Sequence, residues 1–455
     1  MGSMSTARGT ANSKVVVFVL KYFCQRIAKP TLRAFIFAYL YVVIPKALNH
    51  IISSIAKKDY NAIVKGIVEI LRKALHPKKF PMFAANLVAG INILEPLVYS
   101  LLKRYGVTRP AKNLFLSTLV SSFISAVIAF PAYQNHMVNI GRYFSLDLTL
   151  LLATRAMDTA ISSSLAGYAP ASLAKHGDAA LFIASSSLIM FAWFYNPKSL
   201  PPAYSKWITA AAKMDDELVD ALRAVRDGDL KYGEHGPHED ILAPMMERYG
   251  KPKEKGNFVV NQPMDCELVH AFTTKNCELH ALWRFSRGFV FALKLYGPLN
   301  ALMLLLPMKG VNMRSRVLRA LKSTVRSSAF LGAFISLYWY AVCLTRTRLF
   351  PKIFPSTPRT YWDNTIGPAM GAILCGFSSL IETAQRRKEL ALFVAPRALG
   401  TLVPSEPSAK NLRIETLVFS LSVAVLVAFS KKDPKSVRGI FGKGFKQIFD
   451  VDLYR

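Results

Sequence analysis

The chain has 455 residues, 52% of them hydrophobic and 19% charged, and its 58 Lys and Arg against 28 Asp and Glu give a formal net charge of +30. That combination excludes a disordered chain, a small disulfide scaffold and an ordinary soluble domain, since average domains are only about 45–50% apolar. Strongly basic soluble chains bind nucleic acid but are rarely this apolar; a large Lys/Arg excess with high hydropathy points instead to a multi-pass membrane protein whose basic loops face anionic headgroups.

The N-terminal residues 1–13 are polar and small, with no cleavable signal after them, and Gly2 fits the loose myristoylation pattern. Crossing the hydrocarbon core takes about 20 apolar residues in a helix. Runs of that kind occupy 33–52, 80–102, 114–133, 146–165 and 179–195. After a long polar interval they resume at 285–306, 327–345, 364–381, 389–403 and 416–429. Several are short or carry a charge, so about eight to ten crossings are expected. Residues 15–27 and 60–75 differ: Lys21 and Arg26, or Lys65, Arg72 and Lys73, decorate otherwise apolar helices suited to the interface. The final residues, 452–455, are neither a prenylation box nor an organelle address.

Between residues 201 and 288 the character changes, because 14 of the 28 acids lie there. Asp215-Asp216-Glu217 followed by Leu218, Val219, Leu222 and Val225 reads as a helix with acids in its first turn. Residues 231–237 and 250–256 are loops by their Gly, Pro and Lys content. This is a water-exposed helical insert, able to serve as a platform for a cytosolic protein partner.

The two membrane halves resemble each other. Leu148-Thr-Leu-Leu-Leu-Ala153-Thr-Arg155-Ala156-Met-Asp158-Thr159 aligns with Leu390-Ala-Leu-Phe-Val-Ala395-Pro-Arg397-Ala398-Leu-Gly-Thr401, with six of twelve positions identical. One span earlier, Ser117, Ser121 and Ser125 recur at four-residue intervals, as do Gly367, Gly371 and Cys375. One span later, Asn196-Pro-Lys-Ser-Leu200 matches Asp433-Pro-Lys-Ser-Val437. The expected fold is all-α: a polytopic helical membrane protein of two similar four-helix halves joined by a hydrophilic helical insert. Its divisions are 1–79 with amphipathic helices and a first span, the halves 80–200 and 327–437, the insert 201–288, a linking span and basic loop 289–326, and a basic amphipathic tail 438–455.

Small residues every fourth position let another helix backbone approach, so both ladders read as packing faces. Arg155 and Arg397 fall mid-segment, where a lone charge is costly. With Asp158 one turn from Arg155, they are candidate sites for an anionic headgroup, carboxylate or phosphate; the alternative is a guanidinium that snorkels to the interface. Cys266-x3-His270-x6-Cys277-x2-His280 has the thiolate and imidazole types of a tetrahedral zinc site, although its spacing is not that of a standard finger. A reduced helical hairpin is the other reading. The five cysteines, Cys24, Cys266, Cys277, Cys343 and Cys375, are odd in number and irregularly spaced, which fits reduced thiols in an intracellular setting. Catalytic signatures such as a nucleophile elbow, a phosphate loop or a His-Glu-x-x-His helix do not occur, so no enzyme is expected. Basic pairs such as Lys57-Lys58 and Lys78-Lys79 flank apolar runs instead of alternating with aromatics, so no nucleic-acid partner is expected either.

The stretch Cys266 to His280 running into Arg284-Phe285-x-x-Gly288-Phe289, with Tyr296-x-Pro298-Leu299 and Phe330-Leu-Gly-Ala-Phe334-Ile-Ser336-Leu-Tyr338, resembles the transmembrane protein 135 family. Fungal members of that family include a peroxisomal membrane protein, and its four-helix halves are distantly similar to mitochondrial inner-membrane translocase channel subunits. Weaker similarity over 158–197 and 367–401 brings the coverage to about two-thirds of the chain. The resemblance implies a multi-pass protein of peroxisomal, or alternatively mitochondrial, membranes tied to lipid handling and organelle homeostasis. The expectation is therefore passage or exchange of a lipid-like or anionic metabolite. A recruiting role for the insert and a translocase-like channel subunit are the alternatives.

Overall fold

A computed structural model describes residues 21–107, 109–141, 144–164, 171–262, 264–305, 312–358, 361–404, 406–433 and 435–449. Gly2, residues 15–20 of the first amphipathic segment and the tail 452–455 lie outside them. Every regular element among the described residues is a helix. In chain order these include α1 Lys29–Ala56, α2 Asn61–Ala74, α3 Phe80–Arg104, α4 Pro110–Asn139, α5 Phe144–Ser164 and α6 Ala171–Tyr195. The insert follows with α7 Pro202–Ala212, α8 Asp216–Asp227, α9 Ala243–Arg248 and α10 Cys266–Val269. Then come α11 Cys277–Leu305, α12 Met313–Cys343, α13 Phe350–Ile353, α14 Gly367–Cys375, α15 Ala384–Gly400, α16 Ala409–Lys432 and α17 Gly439–Phe449.

Among the described residues, seven helical stretches are long and apolar enough to cross a membrane: Lys21–Ala56, Phe80–Arg104, Pro110–Asn139, His176–Tyr195, Met313–Ile353, Trp362–Ile381 and Ala409–Lys432. This is fewer than the sequence runs suggested. The runs at 146–165, 285–306 and 389–403 fall on α5, α11 and α15, where charge or length intervenes. Asp147, Arg155 and Asp158 interrupt α5; the run on α11 carries Arg287 and Lys294, and its last residue, 306, lies outside the described residues; α15 has only 17 residues and begins Ala-Gln-Arg-Arg-Lys. A multi-pass, all-helical membrane architecture stands.

The chain divides into two compact units, Met1–Ala169 with Ser405–Arg455, and Pro170–Pro404. These cut the chain differently from the halves 80–200 and 327–437. The last helix of the first half, α6, packs on α14 and α15 of the second unit, while α16 packs on α4 and α5 of the first. The reason is side-chain content. On α16, Glu415 accepts from Gln134 of α4 at 2.7 Å and from Thr149 of α5 at 3.2 Å. On α6, Phe182 and Trp193 join the core of Phe330, Tyr338 and Trp339.

The first unit is built on α3, α4 and α16. Phe130 and Phe419 stack 3.9 Å apart at 11°, with Phe83 against both. Further along the same three helices lies a buried ion pair: Lys431 Nζ donates to the Glu95 carboxylate at 2.8 and 2.9 Å, and Thr118 Oγ1 donates to it at 2.5 Å. Such a pair tolerates burial because each charge has a partner.

In the second unit the insert folds onto membrane helices through its own small core, in which Leu242, Met245, Met246 and Phe258 are almost fully buried. The acid-led helix α8 appears where the periodicity placed it, and Gly228 ends it with φ 84°. On the surface, Arg248 pairs with Glu217 and with Asp215 at 2.8 Å.

Candidate functional site

Two features of the Pro170–Pro404 unit carry chemistry, and both form where the insert meets α11 and α12. Beyond Cys343, α12 continues in a wider π-helical turn, Leu344–Arg348. There Arg346 is buried against Asp363, donates to the Met264 carbonyl at 2.6 Å, and shares Asp363 with the Tyr232 hydroxyl at 3.1 Å. Tyr232 and Met264 belong to the insert, so this charge network fixes the insert to the end of α12.

The first feature is the cysteine-histidine cluster. Ligand atoms of Cys266, His270 and Cys277 lie within 4.8 Å of one another, with Cys277 and His270 buried, and this group can hold a metal ion. His270 Nδ1–H donates to the Thr274 carbonyl at 2.8 Å, which leaves Nε2 as the lone-pair nitrogen. Metal-binding histidines are commonly oriented by such a bond. That Nε2 faces the Cys343 sulfur at 3.2 Å. Burial raises the Cys266 thiol and lowers the His270 imidazole from their ordinary values.

His280, which the spacing offered as fourth ligand, is placed otherwise. Its ring stacks on His270, and both of its nitrogens have other partners: Nδ1 meets Thr273 Oγ1 at 3.0 Å, and Nε2 accepts from Arg284 Nε at 3.2 Å. Burial first, then the neighbouring His270, pushes its pKa down to about 3, so it stays neutral. Cys266 and His270 do come together across the short α10, and the chain then turns through Ala271 and Phe272, both at positive φ, to bring Cys277 to them; His280, one turn further along α11, faces Thr273 and Arg284 instead. Cys343 carries no spacing signal toward residues 266–280. Its signal was the polar end of the span, Cys343-x2-Arg346-x-Arg348, but the 73 residues separating it from His270 hid the pairing.

The second feature is a cavity of about 390 Å³, within the range of roughly 300–1,000 Å³ usual for ligand pockets. Its walls are apolar and aromatic, including Trp193, Trp207, Phe330, Tyr338 and Trp339. A groove of about 330 Å³ adjoins it, sharing Ala211, Ala212 and Ile335, and is lined by the cations Lys213, Arg284, Arg287 and Lys294. Arg284 is buried between the two, its guanidinium 3.9 Å above the Trp339 ring and donating to the Ala212 and Lys213 carbonyls at 2.9 and 3.2 Å. Sequence reading missed this site because its residues come from five helices, α6, α7, α11, α12 and α15, far apart in the chain.

Arg397 is half-buried on α15 one turn after the cavity residues Phe393 and Val394, and its charge reaches Tyr204, another lining residue. Burial raises the Tyr204 phenol, and Arg397 opposes that shift. Arg155 is half-buried in the other unit. Asp158 accepts from Arg438 at 3.4 Å and from Ser162 at 3.4 Å. Ser117 and Ser121 are fully buried on α4, and Ser125 faces Gly90 of α3, where an added Cβ would stand 3.0 Å from its Oγ. Gly371 faces Tyr338 of α12 at 3.1 Å by the same measure; Gly367 lies by Trp362, and Cys375 is fully buried.

Comparison with family models, with curated proteins and with solved structures finds no match to the chain. The functional reading therefore stands on the geometry of these two features.

Proposed function

We propose that the protein is a multi-pass organelle membrane protein that handles an anionic single-chain lipid, with its acyl chain in the aromatic cavity and its headgroup in the adjoining basic groove. The carrying observation is the contiguity of an apolar cavity with a groove bearing four cations. A neutral lipid would leave those charges uncompensated, and a small anionic metabolite would leave the apolar walls empty. Arg397, beside Tyr204, supplies a further cation near the cavity wall. The role is binding and exchange, without catalysis. A peroxisomal membrane follows from the family resemblance, with the mitochondrion as alternative; imaging the tagged chain against both markers decides between them.

The chain's five tryptophans provide the test, since Trp193, Trp207 and Trp339 line the cavity. Doxyl-labelled stearate added to purified protein should quench their fluorescence saturably. Unlabelled stearate should reverse the quenching at lower concentration than stearyl alcohol. Equal competition by the alcohol, or quenching no greater than by a doxyl-labelled detergent, would sink the reading.

The metal proposed for the Cys266, His270 and Cys277 group is zinc in a structural role, because buried thiolate and imidazole donors suit it.

A further inference from the structure

We infer that Cys343 is the fourth ligand, closing a Cys₃His site in which the ion fastens the insert to the end of membrane helix α12. The inference rests on the metal reading above. Zinc bonds of ~2.0 Å to nitrogen and ~2.3 Å to sulfur place tetrahedral N and S ligands roughly 3.5 Å apart. The 3.2 Å between His270 Nε2 and Cys343 Sγ is close to that separation. The same turn of α12 also adjoins the other two sulfurs. Thr347 follows Cys343 by one turn, and its Oγ1 lies 3.6 Å from Cys266 Sγ and 4.0 Å from Cys277 Sγ. Arg348 adds a cation beside Cys277 while donating to Glu278 at 2.7 Å.

Four protein ligands leave no position for water or substrate, so the ion is structural and not catalytic. Three donors come from the insert and the start of α11, and the fourth from the far end of α12. The ion therefore closes a long loop of chain at the point where the Arg346–Asp363 pair also clamps it. His280 is a positioning residue: it backs the His270 ring and accepts from Arg284.

Full-length protein purified without chelator should contain about one equivalent of zinc. Cys343→Ser and Cys277→Ser should lose most of it, while Cys375→Ser, at a buried thiol elsewhere, should keep it. Chelation should speed proteolysis of the insert in wild-type protein and in Cys375→Ser. If Cys343→Ser fails to fold, X-ray absorption on the zinc-loaded wild type should count three sulfurs and one nitrogen. Zinc-free wild-type protein would overturn the metal reading itself. Zinc bound by two sulfurs, or undiminished in a folded Cys343→Ser, would overturn only the assignment of Cys343.

Discussion

The imidazole of His280 lies flat on that of His270, with ring centroids 4.0 Å apart and planes 8° from parallel. Through this stack the cysteine cluster touches the basic groove, because His280 Nε2 accepts from Arg284, and Arg284 in turn lies over Trp339 of the cavity wall. Hydrogen bonds to charged groups contribute about 1.5–3 kcal/mol. His280→Ala is expected to keep its zinc, lose stability by that order and bind stearate more weakly. A variant that loses zinc instead would make His280 a ligand.

Ala211 lines both cavity and groove. Ala211→Phe fills the shared wall without changing charge, so stearate quenching should fall about tenfold or more in affinity, the equivalent of 1.4 kcal/mol. Arg397→Gln should weaken stearate more than stearyl alcohol, and Arg397→Lys should restore part of the difference, since a point charge replaces the guanidinium fork. Arg155→Gln, in the other unit, should leave stearate binding unchanged.

Glu95 and Lys431 are both buried, and each keeps the other's charge compensated. Removing one partner of such a pair typically costs about 3–5 kcal/mol, whereas replacing both is far milder. Glu95→Ala should lower the unfolding temperature sharply, and Glu95→Ala with Lys431→Met should recover much of it. No recovery in the double variant would show that the cost is packing alone.

Gly371 has no room for a side chain, because an added Cβ would meet the Tyr338 ring and its carbonyl oxygen at 3.1 Å. Gly371→Leu should destabilise by about 1–3 kcal/mol or prevent assembly. A monodisperse, equally stable variant in size-exclusion and thermal assays would contradict that packing.

On the insert surface, the hydrogen bond from Arg248 holds Glu217 below its ordinary value. A depressed carboxyl stabilises the fold above its unfolded value near 4.5 and loses that contribution as pH falls through the folded value. Arg248 is exposed, so solvent screening keeps the contribution of the pair small. Arg248→Ala should therefore lower insert stability slightly at pH 7, with the difference from wild type vanishing in acid.

Sequence by itself determined what is local. Apolar runs marked the membrane helices, clustered acids marked the insert, and Asp215-Asp216-Glu217 marked the start of α8, because helix period and end charges are written within a few turns. Cys266, His270 and Cys277 were legible for the same reason, lying within twelve residues of one another. Tertiary structure alone decided the rest. Cys343 reaches His270 across 73 positions, Lys431 reaches Glu95 across 336, and α6 and α16 settle among helices of the opposite sequence half. Such pairings depend on which buried charge or ring finds a partner when the helices pack, and no local pattern records that choice.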